Sequence, residues 1–271
     1  NITQTVRIIG FHEDYTELPI DGEKPDPSKS IGMTFDFVDL ISDENGYSLA
    51  TFWMNTNDTS NVNHDYINSS VRKALTGEGN GDLHWYLKEE DHFTTNPKYA
   101  NNSVLDMLPG DLTKNGILKT ACKYVNIWNK DKTPDPGYDE LTVSDKLFLL
   151  SPYEMGNVNH EHEEQLTNHY NYYRDAETYK SDRIKKQIKK GEDAIATAFD
   201  VHEGEFTGRK NSYAGVNSTI SNNGSYPWLR SPHTEDHTKN CVWYIHADGE
   251  FSHKDGAVYK HARPIAPAFC V

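Results

Sequence analysis

Cysteine is scarce: Cys122, Cys241 and Cys270 are the only three in 271 residues. That is too few for a disulfide framework, and an odd count leaves one thiol free or paired with another chain. No Cys-x-x-Cys occurs, which removes the common zinc-knuckle and thioredoxin-like patterns. Positive charge is also short. Lys and Arg number 27 against 41 Asp and Glu, for a formal charge of −14. A surface that tracks phosphates needs clustered cations to release counterions, so no nucleic-acid partner is expected. The one basic cluster, Lys185, Lys186, Lys189 and Lys190, brackets Ile184 and Ile188 at helical spacing. It reads as the solvated face of an amphipathic helix.

Long apolar runs are missing as well. Nothing approaches the roughly 20 residues that cross a bilayer as a helix, so no membrane insertion is expected. No signal-peptide pattern is present, and a chain beginning at Asn1 reads as a processed portion of something longer. Neither Gly-x-Ser-x-Gly nor His-Glu-x-x-His occurs, and there is no Gly-rich phosphate loop. Nucleophilic, zinc-hydrolytic and nucleotide chemistry therefore have no recognisable starting point.

What the chain does have is aromatic residues. Hydrophobic residues make up 35% and mean hydropathy is −0.79, but Phe, Trp and Tyr supply 11%. Each of these buries far more area than an aliphatic side chain, so a thin globular core is attainable. Short runs recur along the whole length. Val6–Phe11 and Met33–Ile41 read as strands, with a Pro-rich loop over Leu18–Ser30 between them. Leu49–Met54, Ile117–Trp128 and Lys146–Ser151 are further strand candidates. Asn68-Ser-Ser offers N-cap chemistry for a short helix carrying Val71, Ala74 and Leu75 and stopped by Gly77. Val104–Leu108 is a helix fragment closed by Pro109-Gly110. These signals predict a single α+β domain over 1–271, with inserted loops near 77–100 and 157–200 and a final unit over 226–271.

Thirteen histidines raise the question of metal. His160, His162 and His169 form the densest group, but their segment is polar throughout and supplies no fixed third ligand or second shell. No metal site and no cofactor are expected. His233, His237, His246, His253 and His261 fall in the last forty residues, among Asp236, Asp255, Tyr244 and Tyr259. Tyr and His give rigid, amphipathic contact area at low entropic cost, as in paratopes. Alternation over Trp243–His246 predicts Tyr244 and His246 on an exposed face, with Trp243 and Ile245 opposite.

Three C-terminal motifs carry a family resemblance: Tyr226-Pro-Trp-Leu-Arg-Ser-Pro232, Val242-Trp-Tyr-Ile-His-Ala-Asp-Gly249 and Arg263-Pro-Ile-Ala-Pro-Ala-Phe-Cys-Val271. Upstream, Arg7–Phe11, Gly32–Val38, Ser70–Arg72, Met107–Pro109 and Ser144–Ser151 with Glu154 follow in order. Together they resemble a domain of unknown function common in gut Firmicutes and their phages. That domain is itself similar to proteins of the C-type-lectin and formylglycine-generating-enzyme fold, including the variable proteins of diversity-generating retroelements.

The resemblance implies a C-type-lectin-like fold and a non-enzymatic ligand-binding or adhesion module, on a cell surface, secreted, or on a phage tail. Its partner would be a protein or glycan on a cell surface. It assigns scaffold roles to Trp228, Arg230, Ser231, Gly249, Pro267 and Phe269. It assigns ligand contact to His233, Glu235, Asp236, His237, Lys239, Tyr244, His246, His253, Lys254, Asp255, Tyr259 and His261. Two alternatives share the fold. A formylglycine-generating type of enzyme would use Cys241 or Cys270. A carbohydrate-binding lectin of the calcium type would carry Glu-Pro-Asn or Gln-Pro-Asp with Trp-Asn-Asp, none of which occurs here.

Overall fold

A computed structural model describes residues 6–19, 23–37, 41, 50–53, 66–78, 86–89, 92–95, 102–129, 137–155, 170, 228–233, 241–245, 251–252 and 262–271. Strands β1 (Val6–Phe11) and β2 (Met33–Phe37) precede β3 (Ala50–Phe52) and helix α1 (Ser70–Thr76). The hairpin strands β4 (Tyr86–Glu89) and β5 (His92–Thr95) come next, then helices α2 (Val104–Met107) and α3 (Gly110–Lys114). They lead into β6 (Ala121–Asn129), β7 (Gly137–Asp145) and β8 (Leu147–Phe148). The C-terminal unit contributes β9 (Trp228–Pro232), β10 (Val242–Ile245), β11 (Phe251–Ser252), β12 (Ala262–Pro264) and β13 (Ala268–Cys270). Few helices and many antiparallel strands in small sheets make this an α+β fold.

Local chemistry explains α1. The Ser69 side chain accepts from the Arg72 N–H at 3.1 Å, satisfying one of the donors that a helix start leaves open. Val71, Ala74 and Leu75 form its buried face. Gly77 ends it in the left-handed region at φ +72°, where a side chain is strained. Arg72 then reaches across to Asp145 at the end of β7, through Nε at 2.9 Å and Nη2 at 2.7 Å. In α2, Ser103 and Asp106 close a reciprocal capping box.

Topology is less local. One sheet has the order β1-β2-β13-β8, so the last strand is central and lies between β2 and β8. A second has the order β11-β10-β9 and a third β12-β3-β4-β5. β6 and β7 pair alone, from Ala121 opposite Asp145 to Asn129 opposite Gly137. The stretch read as an inserted loop near 77–100 thus holds the β4–β5 hairpin, which extends the third sheet. The periodicity gave no sign of β7. The basic helix around Lys185–Lys190, the histidines His160, His162 and His169, and all of 157–200 except Tyr170 lie outside the described residues.

Adjacent residues of the same strand feed different parts of the core. Leu147 and Phe269 join one apolar cluster with Trp53, Tyr66 and Trp228, while Phe148 and Ala268 join another with Ile9, Leu150 and Tyr170. Both faces of β8 and β13 are therefore covered. Phe269 stacks on Phe35 of β2 with ring centroids 5.3 Å apart.

Candidate functional site

At the junction of these clusters lies a closed group of charged side chains. Asp14 follows β1, and its backbone carbonyl accepts from the Ile31 N–H at 2.8 Å, which fixes the segment. Lys123 sits on β6. Glu154 sits in the turn after β8, where Ser151 and Glu154 bond each other reciprocally, Ser151 N–H to Oε2 at 2.8 Å and Glu154 N–H to Ser151 Oγ at 3.1 Å. Arg230 comes from β9. All four are at least 95% buried.

The contacts are short and reciprocal. Lys123 Nζ meets Asp14 Oδ1 and Glu154 Oε1, both at 2.6 Å, and donates to the Tyr170 hydroxyl at 2.7 Å. Tyr170 donates onward to Asp14 Oδ2 at 2.8 Å. The Thr34 hydroxyl and, at 3.4 Å, the Cys270 thiol donate to that same oxygen. Arg230 Nη2 closes on Glu154 Oε2 at 3.0 Å, its Nε donates to the Tyr124 carbonyl at 3.0 Å, and its Nη1 donates to the Leu149 carbonyl. Two cations face two anions, so the group is neutral overall.

Protonation follows from these neighbours. Burial opposes charge on Glu154, but Arg230 and Lys123 outweigh it and hold its carboxyl down to about 2. For Lys123, burial likewise disfavours the ammonium, and attraction from Asp14 and Glu154 overcomes it and raises the pKa. Burial, then the Asp14 charge, pushes the Cys270 thiol well above the usual thiol range. The same effects, with Glu154 added, raise the Tyr170 phenol. Cys122, Cys241 and Cys270 are all buried, and none is in a disulfide. A protonated, enclosed thiol is a poor nucleophile.

The residues expected at a display surface divide sharply. Tyr244 is 1% exposed and His233 is 2% exposed, which corrects the expectation that both stand open to ligand. The reason is that β10 is covered on two sides. Val242 and Tyr244 enter the cluster around Trp228, whereas Ile245 enters the cluster around Tyr170 and Trp243 packs against it. Strand alternation was read correctly, but the assumption that one face meets solvent fails. His233 packs edge-on against Trp243 with centroids 5.4 Å apart, and its carbonyl accepts from the Tyr138 hydroxyl at 3.0 Å. Glu235, Asp236, His237, Lys239, His246, His253, Lys254, Asp255, Tyr259, His261 and the scaffold residue Gly249 lie outside the described residues. Trp228, Arg230, Ser231, Pro267 and Phe269 are buried. The Trp228 indole donates to the Thr51 carbonyl at 2.8 Å, linking β9 to β3.

Among the described residues, no group of three or more His, Cys, Asp or Glu side chains is placed to hold a metal ion. No described helix is long and apolar enough to cross a membrane.

A family model described as "Domain of unknown function (DUF6273)" matches residues 40–271. The chain belongs to the DUF6273 family. No curated protein and no solved structure matches it. The DUF6273 match takes in Lys123, Glu154, Tyr170 and Arg230 of the buried group, while Asp14 and Thr34 precede it. Sequence reading had singled out Arg230 and Glu154 but missed Asp14, Lys123 and Tyr170. The available signal was a lysine inside the otherwise apolar run Ala121-Cys-Lys-Tyr-Val125.

Proposed function

We propose that this DUF6273 chain is a non-enzymatic binding module with a C-type-lectin-like fold, which engages a protein or glycan on a cell surface through the connections of its C-terminal unit. The observation that carries this reading is the burial of β9 and β10, the strands that bracket the first of those connections. All five residues of β9 are buried, as are three of the four in β10. Segment 234–240 joins β9 to β10 in sequence, 246–250 leads from β10 to β11 and 253–261 from β11 to β12, and they carry His237, Lys239, His246, Lys254, Tyr259 and His261. A rigid frame joined by segments rich in His, Tyr, Asp and Lys suits recognition, because polar contact residues can vary without disturbing the packed strands. Placement on a cell surface, in secreted form or on a phage tail accords with that role.

The charged group at the core favours this reading over an enzyme of the formylglycine-generating type. Its carboxylates and cations are spent on one another, and its thiol is enclosed. The deciding experiment is a screen of the intact chain against arrayed glycans and cell-surface proteins. Replacement of His246, Tyr259 and His261 by Ala is then expected to abolish the binding found while leaving the melting temperature unchanged. Loss of folding in that triple variant would overturn the reading, as would turnover of a thiol-containing peptide by the wild type.

A further inference from the structure

We propose that Lys123 and Asp14 condense inside the folded protein to form an intramolecular isopeptide bond, with Glu154 as the group that carries the proton. The ion pair described above has the geometry of a reactant complex. Lys123 Nζ lies 2.6 Å from Asp14 Oδ1, one bond from the carboxyl carbon that it would attack. Glu154 Oε1 lies 2.6 Å from the same nitrogen. Three donors, the Tyr170 and Thr34 hydroxyls and the Cys270 thiol, converge on Asp14 Oδ2. These donors satisfy the buried carboxylate, and they are also placed to stabilise the oxyanion formed when its carbon becomes tetrahedral.

The reaction balances within the group. One ammonium proton passes from Lys123 to Asp14, exchanging an ion pair for an amine and a carboxylic acid, and burial lowers the cost of that exchange. The nitrogen lone pair then attacks Asp14 Cγ, and the negative charge collects on Oδ2 under its three donors. Glu154 takes a second proton from the nitrogen and hands it to Oδ1. The Cγ–Oδ1 bond breaks and water leaves as the electron pair on Oδ2 restores the carbonyl. The products are one amide and one water. Glu154 ends as it began, still paired with Arg230, and no oxidant or co-reactant is consumed.

The surroundings favour completion. The Phe148 ring lies 4.5 Å from Lys123 Nζ and the Tyr170 ring 5.1 Å, so apolar walls flank the amine. Fixed neighbours reach effective molarities of about 10⁵–10⁸ M, which lowers the barrier to amide formation. Because the ion-paired form is well stabilised, the step is slow and happens once, after folding. The crosslink would join the segment after β1 to β6 and close a long stretch of chain into a covalent ring.

Intact-mass spectrometry of the reduced, purified chain tests this directly. The expected result is a mass lower than that of the sequence by one water, with a branched peptide joining residues 14 and 123 after digestion. Asp14→Ala and Lys123→Met should each restore the full mass, and Glu154→Gln should leave the uncrosslinked form as the main species. A folded wild-type chain at full sequence mass overturns the proposal. So does a water loss that maps elsewhere, such as a succinimide at Asp248-Gly249. If the variants fail to fold, the wild-type mass and the branched peptide decide alone. Crosslinking that proceeds unchanged in Glu154→Gln overturns the role given to Glu154.

Discussion

Arg230 and Glu154 meet at 3.0 Å with both side chains only 2% exposed, and the same guanidinium holds the carbonyls of Tyr124 and Leu149. One side chain thereby joins β9, β6 and the segment that follows β8. Replacing it with Met leaves Lys123 as the one cation facing both Glu154 and Asp14 among the contacts described above, and takes a donor from two carbonyls. Breaking such a pair costs about 3–5 kcal/mol, which denaturant unfolding of Arg230→Met should show. Arg230→Lys keeps the charge but cannot reproduce the fork, and a loss of about 1–3 kcal/mol is expected. The double variant Arg230→Met, Glu154→Leu should recover part of the first loss, because Lys123 and Asp14 then balance each other.

The same pair sets an acid limit. The carboxyl of Glu154 is depressed from an ordinary 4.5 to about 2, so its contribution to stability is fully present above 4.5. That contribution is lost as pH falls through about 2. Wild type should be more stable than Glu154→Gln at neutral pH, and the gap should narrow steadily between pH 4.5 and 2. Unfolding free energies of the two proteins, measured side by side across that range, check the sign. A gap that widens on acidification would contradict it.

Tyr244 is a core residue, packed in the cluster that holds Trp228. Truncation to Ala is expected to cost about 3–5 kcal/mol, as for other large buried aromatics. His246→Ala, on the proposed display segment, should cost about 0.5 kcal/mol or less. Thermal unfolding of the two variants distinguishes a packed tyrosine from a contact residue.

Gly10 marks the register shift between β1 and β2. A Cβ there would stand 2.8 Å from Cδ1 of the Tyr170 ring and clash with Glu13 Oε2. The Glu13 carboxylate ends a flexible side chain and can move away. The ring cannot do so without dragging its hydroxyl from Asp14 and Lys123. Gly10→Ala should therefore cost about 1–3 kcal/mol, while Tyr170→Phe combined with Gly10→Ala should lose less than the sum of the two single changes, as a double-mutant cycle would reveal.

All three thiols are buried and none is in a disulfide. A thiol-reactive dye should label none of them in the native chain within minutes and all three after unfolding. Reductant should leave the melting temperature where it was. Fast native labelling of Cys270 would revive the cysteine-enzyme reading.

Local rules made part of this fold legible. The period-two run at Met33–Phe37 and the Ser69 cap with the Gly77 stop each depend on neighbours a few residues away, and each was recognisable in the sequence. β7 was not, because exposed Glu140, Leu141, Thr142 and Ser144 mask its pairing with β6. The buried charges were harder still. Asp14 and Lys123 stand 109 positions apart, and burial of a lysine depends on partners that no local window contains. Tyr244 shows the complementary failure: alternation tells which side chains share a face, but not whether a second layer covers it.

The central place of β13 also has a consequence for synthesis. β2 cannot find its second neighbour until Cys270 has been made, since Thr34 pairs with Cys270 and Asp36 with Ala268. A nascent chain on the ribosome must carry β1 and β2 as a bare hairpin, with an open hydrogen-bonding edge, until residues 268–270 have been made. Such distant pairing closes late and slowly. A truncation that removes Ala268–Cys270 would leave that edge unfilled and ready to pair with another copy.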